Sequence, residues 1–164
     1  MPVVIREARP EEHASLGELV VAAYRSLPEF EEPDYEPELR DVARRACEAV
    51  ILVALDDVGG TPLGCVTYVP GPDSPWAELL EPGEAAIRML AVDPAARGRG
   101  VGTALAAACI ARAREDGRAG VFLHTLPYMR AAQAIYARLG FTRRPDRDWE
   151  PVPGIRLLGF ALAL

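Results

Sequence analysis

The chain contains no lysine: its 18 basic residues are all arginine, set against 24 acids for a net charge of −6. That excludes a phosphate loop of the G-x-x-x-x-G-K-[ST] type, which needs its lysine. The acidic balance argues against general nucleic-acid binding, which depends on neutralising phosphates. Only two histidines and three cysteines occur in 164 residues. With no cluster of histidines and carboxylates, no metal site is expected. Cys47, Cys65 and Cys109 are scattered, odd in number and set in apolar stretches, so they read as reduced core thiols rather than a disulfide frame. No apolar run reaches membrane-spanning length. The start, Met1 to Glu7, lacks the basic-then-apolar layout of a signal peptide, so a cytoplasmic location is expected. Half the residues are apolar and a quarter charged, the balance of one soluble domain spanning 1–164.

What is present is concentrated in one stretch. The apolar run Ile87 to Val92 reads as a buried strand and passes through Asp93-Pro94 into Arg97-Gly98-Arg99-Gly100-Val101-Gly102-Thr103. A helix is expected to follow, from Thr103 to Glu115. Glycines at 98, 100 and 102 clear side chains from the turn, so a polyanion can approach the main chain at the positive end of the helix dipole. Arg97 and Arg99 add fixed charge suited to phosphate oxygens. A dinucleotide-binding turn fits poorly, because the spacing is G-x-G-x-G and the loop lies past mid-chain.

Arg97-x-x-Gly100-x-Gly102 resembles the Gln/Arg-x-x-Gly-x-Gly/Ala signature of the GNAT superfamily of N-acetyltransferases, and Leu90 to Pro94 is similar to the end of that family's fourth strand. Ala131 to Phe141 resembles its late helix with the A-x-x-x-Tyr-x-x-x-Gly-Phe pattern. The resemblance implies a twisted mixed α/β sheet flanked by helices, with acetyl-CoA as co-substrate and direct transfer to a primary amine, on a small molecule or a peptide. It assigns the cofactor to Leu90, Ala91, Val92, Arg97, Gly98, Arg99, Gly100, Val101, Gly102 and Thr103. It also implies that strands four and five splay apart, and that a bulge near Leu90 offers an N–H to the oxyanion.

The chain's organisation agrees with this order. Strands are expected at 3–8, 49–56, 63–69, 85–92, 121–126, 141–145 and 155–163, the second and third joined through Val58-Gly59-Gly60-Thr61-Pro62. Helices are expected from residue 9, over 37–48, after the glycine loop and over 129–139, with Gly117 and Gly140 as stops. The apolar run Leu157 to Leu162 reads either as an internal strand or as part of a homodimer contact.

Catalytic candidates are fewer. By the resemblance Tyr136 is the acid that protonates the departing thiolate; packed beside Ile135 and Leu139, it reads equally as a core aromatic. Many relatives carry a glutamate where this chain has Ala86, and an asparagine where it has Met129. Glu84 and Arg88 share the face of Ala86 by alternation. Glu84 reads as a base acting through water or as a solvated strand start, and Arg88 as a ligand for an acceptor carboxylate or a partner of Glu84. His124 has the pKa range of a base, or is a structural histidine. No cysteine has an activating neighbour, which argues against a covalent acyl-enzyme.

Residues 28–41 hold seven acids against Arg40 alone, interleaved with Phe30 and Tyr35. With Tyr24 and Trp76 they suggest an acceptor amine bearing further positive charge, or merely a solvated acidic loop. The departures at Ala86 and Met129 keep a second reading open, a non-catalytic acyl-CoA-binding module. A third, action on aminoacyl-tRNA, has only the cluster Arg143, Arg144 and Arg147 in its favour.

Overall fold

The computed structural model describes residues 2–57 and 60–164; Val58 and Gly59, in the expected hairpin turn, lie outside the described residues. Eight strands form one mixed sheet. β1 (Val3–Glu7), β2 (Val50–Asp56), β3 (Pro62–Val69) and β4 (Glu84–Val92) run as an antiparallel meander. β4 then pairs in parallel with β5 (Gly120–Thr125), which pairs antiparallel with β8 (Ile155–Ala163). β6 (Thr142–Arg143) and β7 (Trp149–Val152) lie along the outer edge of β8. β2 and β3 read as nearly unbroken apolar runs because both of their faces are covered.

α1 (His13–Arg25), α2 (Glu36–Arg40) and α3 (Val42–Ala46) cover one face. Their Leu16, Val20, Leu39 and Val42 pack on Ile51, Val53 and Leu55 of β2. α4 (Val101–Glu115) and α5 (Arg130–Arg138) cover the other, with Leu105 and Tyr136 packed against Leu52 and Ala54. Alternate residues of β2 thus serve separate cores, as the two-residue period of a strand demands.

Two irregularities of the sheet position the site. β4 and β5 pair only at Glu84↔Gly120, Ala85↔Val121 and Ala86↔Phe122, and beyond these the described strands part. In β4, Cys65↔Ala91 and Thr67↔Arg88 leave Met89 and Leu90 facing Val66 alone, a β-bulge. Met89 takes φ +52° there, a left-handed conformation uncommon for a side chain of its size.

The helix expected over 37–48 is broken into two short ones at Asp41, whose carboxylate accepts the Arg44 N–H at 3.1 Å and caps α3. Just beyond, the Arg45 guanidinium is 1 % exposed; it donates to the Glu38 and Leu39 carbonyls at the end of α2 and to Thr67 Oγ1 on β3. One buried cation therefore ties the acidic segment to the sheet. The first helix opens with a 3-10 turn at Pro10–Glu12, and a strand unforeseen from sequence, β7, forms a hairpin with β8. The C-terminal apolar run is the internal strand β8. Cys65 and Cys109 are buried, but Cys47 is exposed at the end of α3, contrary to the apolar setting expected for it. No described helix is long and apolar enough to cross a membrane.

Candidate active site

The glycine loop before α4 presents main chain rather than side chains. Gly98 and Gly100 take φ +80° and +77°, in the left-handed region, and no atom stands within 4 Å of where a Cβ would project. Gly100 is the N-cap of α4, and its carbonyl accepts the Ala104 N–H at 3.0 Å. Among the described residues, no N–H from Gly98 to Thr103 donates to a protein acceptor. These amides stand at the positive end of a 15-residue helix, an arrangement suited to an anion. Gly102 serves packing instead: a Cβ there would lie 2.8 Å from Ile135 Cδ1 on α5. Arg97 reaches back to the Ser26 hydroxyl and Arg99 lies 3.4 Å from Asp56 Oδ2, so both guanidiniums remain at the mouth of the loop.

From this loop the splayed edge of β4, carrying Leu90, Ala91 and Val92, leads to a cavity of about 830 Å³ on the α1–α2 side. Its acidic wall comes from the α1–α2 link and α2, with Glu31, Glu32, Asp34 and Glu38. Its apolar wall comes from the end of β5 and the β7–β8 hairpin, with Leu126, Trp149, Val152 and Leu157. Tyr24, Tyr35, Trp76, Glu78, Ala86, Arg88, Met89 and His124 face the same space.

His124 is held from several directions. Its Nε2 lies 2.9 Å from the Arg147 carbonyl, which only accepts, so in the neutral ring Nε2 carries the proton and Nδ1 is bare. Phe122 and Trp149 stand 4.8 and 5.9 Å from its ring. Burial is the largest influence on its pKa and lowers it from 6.5, against the raising effects of the Arg147 carbonyl and Glu78. The ring is therefore neutral at pH 7. Nδ1 points toward Glu78 Oε2 across 4.0 Å.

Arg88 does not pair with Glu84. Its guanidinium forms an ion pair with Glu78, donates to the Trp76 carbonyl at 3.2 Å and reaches the Tyr35 hydroxyl at 3.4 Å. Burial pushes the Tyr35 phenol up to about 12.

Glu84 lies elsewhere. Its carboxylate takes both Arg147 Nη groups at 2.7 Å and the Glu81 N–H at 2.9 Å. Burial raises its pKa, but the Arg147 pair and the Glu81 N–H outweigh this and hold it below the usual carboxylate range. It is outside the cavity walls. Phe30 is outside them too; its ring stacks edge-on against Tyr24 at 5.5 Å and props that wall from behind.

Tyr136 is a core aromatic of α5 and lies outside the cavity walls. Its ring packs in the core 5.5 Å from Phe141, and burial pushes its phenol well above the ordinary value. No described residue hydrogen-bonds its hydroxyl, which keeps its proton at any ordinary pH. The cluster of Arg143, Arg144 and Arg147 is neutralised by Asp148, Asp146 and Glu84 and presents no free basic patch. Among the described residues, no three His, Cys, Asp or Glu side chains converge as a metal-holding set.

Glu78 has no counterpart among the sequence-derived candidates. It sits in the irregular segment between β3 and β4, next to Leu79, whose φ of +56° is also left-handed. Neither a motif nor a periodicity marks it. Its one local signal is an acid within two residues of Trp76.

The model of the Acetyltransferase (GNAT) family matches residues 14–141. An uncharacterized N-acetyltransferase of Methanocaldococcus jannaschii is 38% identical over 89 residues, 54% of this chain; the match spans only 38% of that protein's length. A GNAT acetyltransferase of Staphylococcus aureus superposes with a TM-score of 0.77 over 99% of both chains, at 16% identity. A GNAT acetyltransferase of Brucella melitensis, solved in complex with acetyl-CoA, is 27% identical with a TM-score of 0.63, over 99% of this chain and 91% of that one. The glycine loop at the head of α4, the parted strands β4 and β5, and a family match over most of its length agree: this chain belongs to the GNAT family of acetyltransferases.

Proposed function

We propose that the protein transfers an acetyl group from acetyl-CoA to a primary amine carrying further positive charge, by direct attack. The observation that carries this is the set of unengaged amides from Gly98 to Thr103, placed where β4 and β5 separate. Those amides, with Arg97 and Arg99, take the diphosphate. The free edge of β4 at Leu90, Ala91 and Val92 lies along the gap as a template for the pantetheine amides. The Brucella relative, whose structure holds acetyl-CoA, supports the choice of cofactor.

The acceptor nitrogen, once neutral, attacks the thioester carbonyl carbon. As the new C–N bond forms, the negative charge developing on oxygen is met by a main-chain N–H at the Met89–Leu90 bulge, and it returns to the carbonyl as the C–S bond breaks and the charge passes to sulfur. His124 Nδ1 takes the proton from the amine, and the Tyr136 hydroxyl gives one to the thiolate. Glu84 is then a structural partner of Arg147 rather than a base. Arg88 keeps Glu78 in place, and Tyr24 shapes the wall with Phe30 behind it. The acceptor's charge is inferred from Glu31, Glu32, Asp34 and Glu38 on one wall, with Trp149 and Leu157 opposite to receive a carbon skeleton. Such chemistry belongs in the cytoplasm, where acetyl-CoA is made and where thiols like Cys65 and Cys109 stay reduced.

Calorimetry with acetyl-CoA and a thiol-release assay over a panel of cationic and carboxylate-bearing amines test this. Saturable cofactor binding with turnover favouring the cationic set is expected. Tight binding without thiol release from any amine would mark a non-catalytic acyl-CoA-binding module, and a preference for anionic amines would reverse the acceptor assignment.

A further inference from the structure

The segment between His124 and Glu78 contains two hydrogen-bond acceptors and no donor. The Arg147 carbonyl fixes the imidazole proton on Nε2, so what His124 turns toward Glu78 is a lone pair. Glu78 Oε2 turns toward it across 4.0 Å, too far for a hydrogen bond between them and unfavourable as a bare contact of two acceptors. The other carboxylate oxygen, Oε1, is taken by Arg88, which also anchors on the Trp76 carbonyl and the Tyr35 hydroxyl. Glu78 is therefore not free to swing away, and its second oxygen is committed to the cavity.

Resting on the acetyl-transfer reading above, we infer that Glu78 Oε2 and His124 Nδ1 form the seat of the acceptor nitrogen, and that its occupant is a primary ammonium. A nitrogen about 2.8 Å from each acceptor closes a triangle on the 4.0 Å side with an angle of about 90° at nitrogen, within reach of two ammonium N–H bonds. A quaternary ammonium has no N–H to give, and a hydroxyl has one where two are wanted. Glu78 holds the cation as it arrives, and His124 accepts the proton whose departure makes the nitrogen nucleophilic. The proton moves from amine nitrogen to Nδ1, leaving an imidazolium between a carbonyl and a carboxylate, both of which stabilise it. The arrangement explains why a strand with Ala86 at the family's usual glutamate position still serves a cavity with a carboxylate: the acid arrives from the loop before β4.

The groups facing His124 are Glu78 from the β3–β4 connection, Arg147 and Asp148 from the segment before β7, Trp149 from β7, and Phe122 on its own strand. Of these only Glu78 is an anion on the Nδ1 side within 4.0 Å. The test is therefore a nitrogen NMR titration of His124, one of two histidines, in the intact protein, with 1,4-diaminobutane and tetramethylammonium as probes. A bare Nδ1 is expected in the free protein, shifted saturably by the diamine and not by tetramethylammonium. In Glu78→Gln the diamine Kd should rise about tenfold or more, while Glu78→Asp, which keeps the charge, should lose less. A proton on Nδ1 in the neutral ring, no saturable shift with the diamine, or an equal Kd in Glu78→Gln each overturns the inference. Thermal unfolding of each variant separates misfolding from lost binding. Acetyl-CoA calorimetry on the same samples keeps the two claims apart: absent cofactor binding would remove the acetyl-transfer reading, whereas unchanged cofactor binding with an unchanged diamine Kd would remove only this one.

Discussion

The donor and acceptor ends of the proposed active site are made of different material. At the proposed donor end the groups are amides of six consecutive residues, 98–103, three of them glycines, where a loop turns into α4. At the proposed acceptor end the cavity is walled by side chains from separated segments, among them the α1–α2 region, the β3–β4 connection, β5 and the β7–β8 hairpin. The first end is local and depends on backbone conformation. The second is assembled, and depends on ion pairs such as Arg88–Glu78 and Arg147–Glu84 that hold loops at a distance from their own strands.

That contrast can be broken by mutation. The largest effect expected is on turnover: His124→Asn should lower kcat by about a hundredfold, with the acetyl-CoA Kd unchanged, as read by thiol release and calorimetry. Tyr136→Phe should cost kcat by about a hundredfold at most, again without weakening cofactor binding, and with little change in Tm because no protein partner is lost. Gly100→Val must hold φ near +77°, so the loop distorts and the acetyl-CoA Kd should rise about tenfold, while the amine Kd stays put. Smaller still, Arg99→Ala should weaken acetyl-CoA by about threefold, since its guanidinium is partly solvated and screened by salt. An Arg99 effect larger than that of Gly100 would mean that side chains, not amides, carry the donor end.

The pH dependence separates the ends as well. His124 is held below 6.5 mainly by burial, so kcat at saturating amine should rise with pH on a limb whose midpoint lies below 6.5. The same residue contributes to folding. Its folded pKa is depressed, so the stability it lends is present above the unfolded value of about 6.5 and fades as pH falls toward the folded one. Thermal melts across that window, compared with His124→Asn, measure it.

The legibility of the molecule follows the same division. The run Ile87 to Val92, the glycine loop and α4 were readable because each signal is local: apolar run, then glycines, then helix. Gly117 and Gly140 stand at φ +70° and +98° just past their helices, as expected of stops. Asp41 was not foreseen as a helix breaker, because its capping contact with Arg44 competes with continuation by a margin that sequence does not display. Glu78 was invisible, since nothing near it in the chain announces that Arg88 and His124 will fold onto it. Glu84 was readable as chemistry and was claimed by Arg147, 63 positions away. Arg45 gave no hint of being the buried cation that ties the acidic segment to β3.

One extra residue opposite Val66 changes the bookkeeping of β4 from end to end. Before it, Ala86 and Arg88 look toward the cavity while Ala85 and Ile87 look toward α4. After it the parity inverts: Met89 and Ala91 join the α1 side, and Leu90 and Val92 the α4 side. Arg88 and Met89 therefore sit on the same side as consecutive residues, which a regular strand forbids. Straightening the strand at this point with every residue kept would send Ala91 and Leu90 into each other's compartments at once. A transplant of this strand into another scaffold must carry its irregular middle intact, or it will deliver the right letters in the wrong frame.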